Sequence, residues 1–403
     1  MRILKFLGAF LGTLLVILLI VFGFNMNALI TLFENSEDIQ EGYEWVEKTY
    51  SLKGLTEYIG AQPERVSIAS LSIENPDSSL LYNEHTPRTM GRLSNFFVIT
   101  EYIRQFEKGL LNPDEQISLD EIDKYQLPYM DASTHEDVKN MLGDQGKISE
   151  QNTVALIDLV EKSAQYNDLA IADFLYTKVG QEAIIDLLDR LELEDTELPL
   201  PFSGLYITLK PSLHQINKTE AWMDSLSSMH RSTFDSLVVE NTDKLFSDQD
   251  FRSKVKTSFE DDEGLGIAFK KLRDALAFFP KTTAIEMARI MKRLMQDKLI
   301  SKKVSRQVKE IMSWPLDGDR LNKDFNQYGA IYDSRMGLVN GIDFGQSTYS
   351  NEPFAQAVFF DELQIAFWFH MSSNLMHQDF QQRLIWDPAL REATGTQISN
   401  SKD

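Results

Sequence analysis

The order of strand-like and helix-like segments is the feature that most constrains this fold. Segments rich in β-branched residues occur near the start, in "RVSIASLSI" (65–73) and "LLYNEH" (80–85), and again towards the end. Between about 94 and 313, apolar residues recur at the helical spacing of three and four. The strands at the two ends must pair to hide their edges. We therefore predict an α/β (α+β) fold, in which both chain ends build one antiparallel sheet flanked by helices.

The same patterns predict where the parts of the chain begin and end. "SNFFVITEYIRQFEKG" (94–109) is typical of an amphipathic helix that stops at a glycine. Three C-terminal strands are predicted in "AIYDSRMGLVNGI", "PFAQAVFFDE" and "LQIAFWFHMSS", followed by a helix in "LMHQDFQQRLIW". The charged, serine-rich stretch 205–280 is predicted to be an all-helical insertion. The predicted division is a stalk with a short helix (34–62), a main domain (63–387) and a disordered tail (388–403).

The N-terminus predicts a membrane anchor. Residues 6–24, "FLGAFLGTLLVILLIVFGF", carry no charge, and nineteen helical residues span roughly 28 Å, about one hydrocarbon core. Arg2 and Lys5 precede this stretch, and six acidic residues follow it before the next basic residue, Lys48. This charge bias puts the N-terminus in the cytoplasm and residues 35–403 outside, as in a single-pass protein of the bacterial cytoplasmic membrane (1–33 as tip and anchor). A cleaved signal peptide is the alternative.

Composition excludes several classes of function. The net charge is −21 and no cluster of Lys and Arg stands out, which argues against a nucleic-acid partner. There is no cysteine, so disulfides and thiol chemistry are excluded. The six histidines show no metal-binding spacing. We therefore expect neither a metal site nor a cofactor.

Three segments resemble the motifs of the penicillin-recognising serine hydrolases, the class A β-lactamases and D,D-peptidases. Members of this superfamily carry S-x-x-K, an S-D-N loop and a K-T-G strand. "MGRLSNFF" looks like the nucleophile turn and places Ser94 on the serine, but Phe97 stands in the place of the lysine. Without that amine, no adjacent group is expected to take the serine proton unless Arg92 or the neighbourhood of Glu101 reaches it. The alternative is that Ser94 only caps a helix.

The second and third motifs also depart from the pattern. The S-D-N triplet aligns with Tyr166, Asn167 and Asp168, or one residue later, and in the first register a tyrosine replaces the serine. Alternatively, Asp168 belongs to a polar helix start.

Arg335 and Gly337 fall on the K-T-G motif, where the resemblance implies that Arg335 binds a substrate carboxylate and Gly337 leaves room for the ligand. Pairing of Arg335 with Asp333 or Asp343 is the alternative. The deacylating glutamate of class A enzymes has no convincing counterpart; Glu197 is nearest, in the wrong register.

Three hypotheses follow from these departures. The first is a membrane-anchored serine hydrolase acting on peptidoglycan-peptide or β-lactam-like amides, with weak or no activity. The second is an inactive relative that binds wall peptides or an envelope protein through the old cleft, and the third is a structural envelope protein. An amine or carboxylate within about 3 Å of the Ser94 hydroxyl would favour the first hypothesis.

Overall fold

The computed structural model describes residues 35–166, 168–214, 219–267, 269–313, 325–347 and 349–401. Within these ranges, no helix combines the length and the apolar character needed to cross a bilayer. The predicted anchor at 6–24 lies outside the described residues.

The central sheet joins the two ends of the chain, as predicted. Its strands are β1 (Val66–Ser72), β2 (Leu80–Tyr82), β7 (Phe325–Arg335), β8 (Leu338–Ser347) and β9 (Pro353–Phe360), in the order β2-β1-β9-β8-β7. All neighbours are antiparallel, and β1 pairs with β9 from Val66↔Phe360 to Ser72↔Phe354. Short strands form two more pairs, namely β3 (Arg88–Thr89) with β6 (Lys281–Thr282) and β4 (Gln116–Ser118) with β5 (Thr153–Ala155).

Helices cover both faces of the sheet. In the first half of the chain they are α1 (Ser36–Lys48), α2 (Leu52–Ala61), α3 (Asn95–Glu107), α4 (Leu119–Ile122), α5 (Ala132–Asp144), α6 (Leu156–Gln165), α7 (Leu169–Val179) and α8 (Gln181–Leu191). The region of the predicted insertion contains α9 (Phe202–Leu209), α10 (Thr219–Ser228), α11 (Arg231–Ser247), α12 (Gln249–Asp261) and α13 (Phe269–Ala275). The remaining helices are α14 (Ala284–Met295), α15 (Lys302–Met312), α16 (Ile365–Ser373), α17 (Met376–Trp386) and α18 (Pro388–Asn400).

One of the three predicted C-terminal strands is wrong. "LQIAFWFHMSS" contains helix α16, whose buried residues Phe367 and Met371 are four apart, the spacing of one helix face. The third strand comes instead from "AIYDSRMGLVNGI", which holds two strands. The chain reverses there at Met336 and Gly337, with φ of 48° and 91°, the positive values that a two-residue hairpin turn requires.

The predicted stalk belongs to the folded domain. Helix α1 packs against α16, where an added Cβ on Gly42 would lie 3.0 Å from the Cβ of Ala366. The Asp38 carboxylate accepts from Arg273 at 2.5 Å and from the amide of Ile365 at 2.8 Å. These contacts dock residues 36–48 on the sheet-covering helices.

The predicted disordered tail is wrong as well. Helix α18 spans Pro388–Asn400, and Asp387 caps its first turn by accepting from two backbone amides. Its buried residues Leu390, Thr394 and Ile398 are spaced by four and pack towards α2. The sequence predicts disorder here because most residues of 388–403 are polar and the buried face of the helix is narrow.

The prediction that 205–280 is helical is confirmed for the described residues, and these helices pack around a second core to which residues outside the region, such as Leu169 and Leu338, also contribute. Lys210, which is fully buried beside this core, donates to Asp262 at 2.8 Å and to the carbonyl of Gly264 at 2.7 Å. This contact ties the end of α9 to the end of α12.

Candidate functional site

Ser94 lies in a buried turn, where its hydroxyl is already bound. A single 3-10 turn, Gly91–Ser94, leads into α3, and Gly91 adopts a φ of +53°. The Ser94 side chain is buried, and its hydroxyl donates to the Gly91 carbonyl at 2.8 Å. Ser94 makes no side-chain capping bond to α3, so the simple helix-cap interpretation is wrong. The hydroxyl is held against its own turn.

Phe97 takes part in the core one turn after Ser94. Its ring is fully buried and meets Phe96 edge to face, with centroids 5.7 Å apart. Glu101, which could in principle supply a base, accepts from Arg104 and Gln105 instead, at 2.6 to 2.7 Å. Among the described residues, the hydrogen bond of the Ser94 hydroxyl goes to a carbonyl and not to an amine or carboxylate.

Arg92 connects the serine turn to the other two motifs. Its backbone amide donates to Asp333 at 2.7 Å, and its guanidinium donates to the carbonyls of Tyr332, Ser163 and Ala164 at 3.0 to 3.2 Å. Burial lowers the pKa of Arg92 to about 10, while the Asp333 carboxylate opposes this shift. A charged group that donates to backbone carbonyls cannot act as a base. Arg92 therefore connects strand β7 to the end of α6 through hydrogen bonds.

The second motif begins next to Arg92. The carbonyl of Tyr166 accepts from the Arg92 guanidinium, and the Lys162 ammonium lies 5.4 Å from the centre of the Tyr166 ring. Asn167 lies outside the described residues. Asp168 accepts from the amide of Ile171 at 3.0 Å and so caps α7, as the structural alternative for this residue predicted.

His135 is a member of this site that sequence reasoning missed. Its Nδ1 lies 2.9 Å from Asp168 and its Nε2 lies 2.8 Å from Asp123, so the imidazole bridges two carboxylates. Burial lowers the pKa of His135, but the two acids outweigh it and raise the pKa above its ordinary value. No spacing rule relates positions 123, 135 and 168, because Asp123 follows α4, His135 lies on α5 and Asp168 precedes α7, and the three residues meet only in the folded chain.

Arg335, the third-motif cation, is paired with an internal carboxylate. Its Nε donates to both oxygens of Asp333, at 3.0 and 2.8 Å. Its Nη1 donates to the Tyr206 hydroxyl at 3.2 Å, and the guanidinium lies 4.9 Å from the centre of the Phe202 ring. Burial lowers the pKa of Arg335, but Asp333 and Tyr206 raise it well above the usual range. Arg335 thus pairs with Asp333, although inside the protein and not on its surface.

Gly337 does not face open space. It lies in the turn after β7, and an added Cβ would sit 3.1 Å from Cδ of Arg273 and 3.2 Å from the carbonyl of Leu363. Arg273 therefore occupies the position that the resemblance assigned to a ligand. Asp343, the other partner considered for Arg335, accepts instead from Tyr332 at 2.8 Å and from Gln381 at 3.0 Å.

Glu197 is used for structure. Its carboxylate accepts from the amide of Lys281 at 3.0 Å and pairs with Arg231 at 3.3 Å. Over the described ranges, no group of three or more His, Asp or Glu side chains is arranged to hold a metal ion.

The combined arrangement links all three motif regions through Asp333. Its carboxylate accepts from the Arg92 amide and from Arg335, while Arg92 reaches α6 and Arg335 reaches α9. The charges of Asp333 and Arg335 neutralise each other inside the protein. These contacts join four elements, the Gly91–Ser94 turn, α6, β7 and α9, in a junction centred on Asp333. Among the described residues, none of these contacts brings an amine or a carboxylate to the Ser94 hydroxyl.

Comparison with known proteins agrees with the fold. A model of the "Beta-lactamase enzyme family" matches residues 52–377. A β-lactamase from Sphaerobacter thermophilus is 12% identical over 85% of this chain and 97% of its own, with a TM-score of 0.50. One from Chitinophaga pinensis is 16% identical over 84% and 99%, with a TM-score of 0.49. No protein of curated function matches the chain in sequence. This chain belongs to the β-lactamase enzyme family, and so to the penicillin-recognising serine hydrolases.

Proposed function

We propose that this chain is a membrane-anchored member of the family that does not form acyl-enzymes and acts as a binding protein of the cell envelope. One observation carries the proposal: the Ser94 hydroxyl is buried against the Gly91 carbonyl, with the apolar Phe97 one turn away. A serine needs a neighbouring base to attack an amide near neutral pH. In the junction centred on Asp333, the Arg92 amide and the Arg335 guanidinium bind the Asp333 carboxylate.

The nature of the partner follows from Arg335. An arginine that anchors a substrate carboxylate must offer its charge to the ligand, but here Asp333 already neutralises it at 2.8 Å. Recognition of a free carboxylate on a wall peptide would require the Asp333–Arg335 pair to break. We therefore favour an envelope protein over a peptidoglycan peptide as the partner, and this choice stays a proposal.

Membrane attachment rests on the sequence of residues 6–24 and is testable separately. The full-length chain should stay with the membrane fraction after alkaline extraction, and protease added outside the membrane should digest residues 35–403. Release into the soluble fraction by alkali would contradict the anchor and leave the proposal for Ser94 unchanged.

Labelling by a fluorescent penicillin tests the lack of acyl-enzyme chemistry. Full-length chain in a nonionic detergent should show no covalent label, and the Ser94→Ala variant should look the same. An active class A β-lactamase altered to retain its acyl group serves as the positive control. Label that appears on the wild-type chain and is absent from Ser94→Ala would contradict the proposal. It would support the hypothesis of an active serine hydrolase.

A further inference from the structure

Helices α14 and α15 carry an excess of positive charge in a very acidic protein. Residues 284–312 contain eight lysines and arginines but three acidic residues, whereas the whole chain has a net charge of −21. This local excess corrects the expectation that Lys and Arg are nowhere clustered. Asp297, one of the three acids, is engaged by Arg306 at 3.3 Å and by Lys309 at 2.6 Å.

A cavity of about 350 Å³ opens beside the C-terminal half of α14. Arg289, Lys292 and Arg293 all line it, at positions i, i+3 and i+4 of one helix face. Like charges at these spacings repel each other. A helix C-terminus favours cations, which accounts for Lys292 and Arg293 in the last turn. The helix C-terminus does not explain why Arg289 is a cation, nor why a cavity lies beside the three side chains.

The cations at this cavity lack carboxylate partners within the described part of the chain. Arg293 donates to the carbonyls of Leu191 and Leu299, at 3.0 and 3.1 Å, so its charge is positioned but not neutralised. Arg289 and Lys292 form no ion pair with any described residue of the chain. The lining therefore carries three cations against two carboxylates, those of Glu192 and Glu286, and keeps an excess of positive charge.

The two acids that line the cavity reduce this excess of positive charge but do not cancel it. The carboxylate of Glu286 is committed elsewhere, since it accepts from the amides of Glu194 and Asp195 at 2.8 and 3.0 Å and from Thr196 at 2.6 Å. Glu192 is exposed at the end of α8 and, among the described residues that line the cavity, is the acid whose carboxylate can oppose an anion.

We propose that this cavity binds the phosphate group of a small phosphate ester. Two arginines and a lysine that line one cavity suit a tetrahedral, multiply charged anion better than a single carboxylate. Leu191, Leu193 and Ile290 line the remaining wall and suit the organic part of the ester. The proposal is independent of Ser94 chemistry and of membrane attachment.

Calorimetric titration of the full-length chain in nonionic detergent tests this site. Glycerol 1-phosphate, a monoester, and glycerophosphoglycerol, a diester like a lipid headgroup, are the two probes, and glycerol is the neutral control. Binding of either ester without binding of glycerol supports the site, and the stronger of the two shows whether a free ester or a headgroup is the source. No heat from either ester at millimolar concentration, with folding shown by circular dichroism, would overturn it.

Variants separate a built site from general attraction of anions. The double variant Arg289→Gln/Lys292→Gln should weaken binding by at least about tenfold. The matched control Lys302→Gln/Lys303→Gln removes the same charge from neighbouring residues that do not line the cavity, and should change affinity little. Glu192→Gln should tighten binding, because it removes a repelling carboxylate. Equal loss in the two double variants would mean non-specific attraction and would contradict the proposal.

Discussion

At the residue scale, Asp333 is the group on which the junction depends. Its carboxylate accepts from the Arg92 amide and from Arg335, and it is almost fully buried. A buried ion pair is weak evidence for stability, since removing both partners is often tolerated. Removing one partner is different, because the other charge stays buried and alone.

Asp333→Asn should therefore lower the free energy of unfolding by about 3–5 kcal/mol, measured by urea denaturation. The double variant Asp333→Asn/Arg335→Met should recover much of this loss, because no unpaired charge remains. A loss below about 1 kcal/mol in the single variant would show that Arg335 readily finds other partners.

Asp343 gives the protein a pH dependence at the opposite face of the sheet. Burial raises the pKa of Asp343 to about 7, while hydrogen bonds from Gln381 and Tyr332 oppose the shift. The folded-state pKa then exceeds the value of about 4 in an unfolded chain, so the native protein binds this proton more tightly. The resulting stabilisation is fully present below pH about 4 and is lost as pH rises to about 7.

Asp343→Asn should remove this contribution to the pH dependence. As pH rises from about 4 to about 7, the variant should gain stability relative to the wild type, by a total of about 4 kcal/mol. The measurement is urea denaturation of both proteins at several pH values. A constant difference between them across this range would contradict a raised pKa at Asp343.

At the scale of elements, sequence patterns predicted the helices and strands with strong periodicity. Helix α3 ends at Glu107, close to the predicted stop at Gly109, and β1 falls within 65–73. Helix α16 was mistaken for a strand because its aromatic residues suit both structures. Helix α18 was missed because its buried face is one narrow stripe among polar residues, and tertiary contact, not composition, orders it.

Ile398→Ala tests whether α18 is part of the folded domain. Truncating this buried side chain should lower the free energy of unfolding by about 2–4 kcal/mol, because it leaves a cavity against α2. Thr396→Ala, at an exposed position of the same helix, should change it little. If both variants matched the wild type in urea denaturation, the segment would be a disordered tail after all.

At the scale of the whole molecule, the sheet could be predicted and the contents of the site could not. Pairing of strands from opposite chain ends follows from the need to cover edges, whatever the loops contain. The contact between Arg92 and Asp333 joins residues 241 positions apart. It depends on how the two residues are oriented in the folded chain, and neither residue stands at a position that S-x-x-K or K-T-G defines.

Phe97 stands where S-x-x-K has its lysine, and from this departure the sequence predicts that Ser94 lacks an adjacent base. The sequence does not show which groups the polar side chains of the motif regions contact. Arg335 had been expected to face a ligand, but it faces Asp333, and Gly337 faces Arg273. The fold of the family is thus retained, while the polar groups of the motif regions bind one another.

Intact-protein mass spectrometry with benzylpenicillin tests the central claim most directly, because it counts bound acyl groups without a fluorophore. The full-length chain is incubated with excess benzylpenicillin from mildly acidic to mildly basic pH, beside Ser94→Ala. We predict an unchanged mass for both proteins at every pH. A mass increase equal to one benzylpenicillin, present in the wild type and absent from Ser94→Ala, would show that Ser94 is a nucleophile and contradict this account.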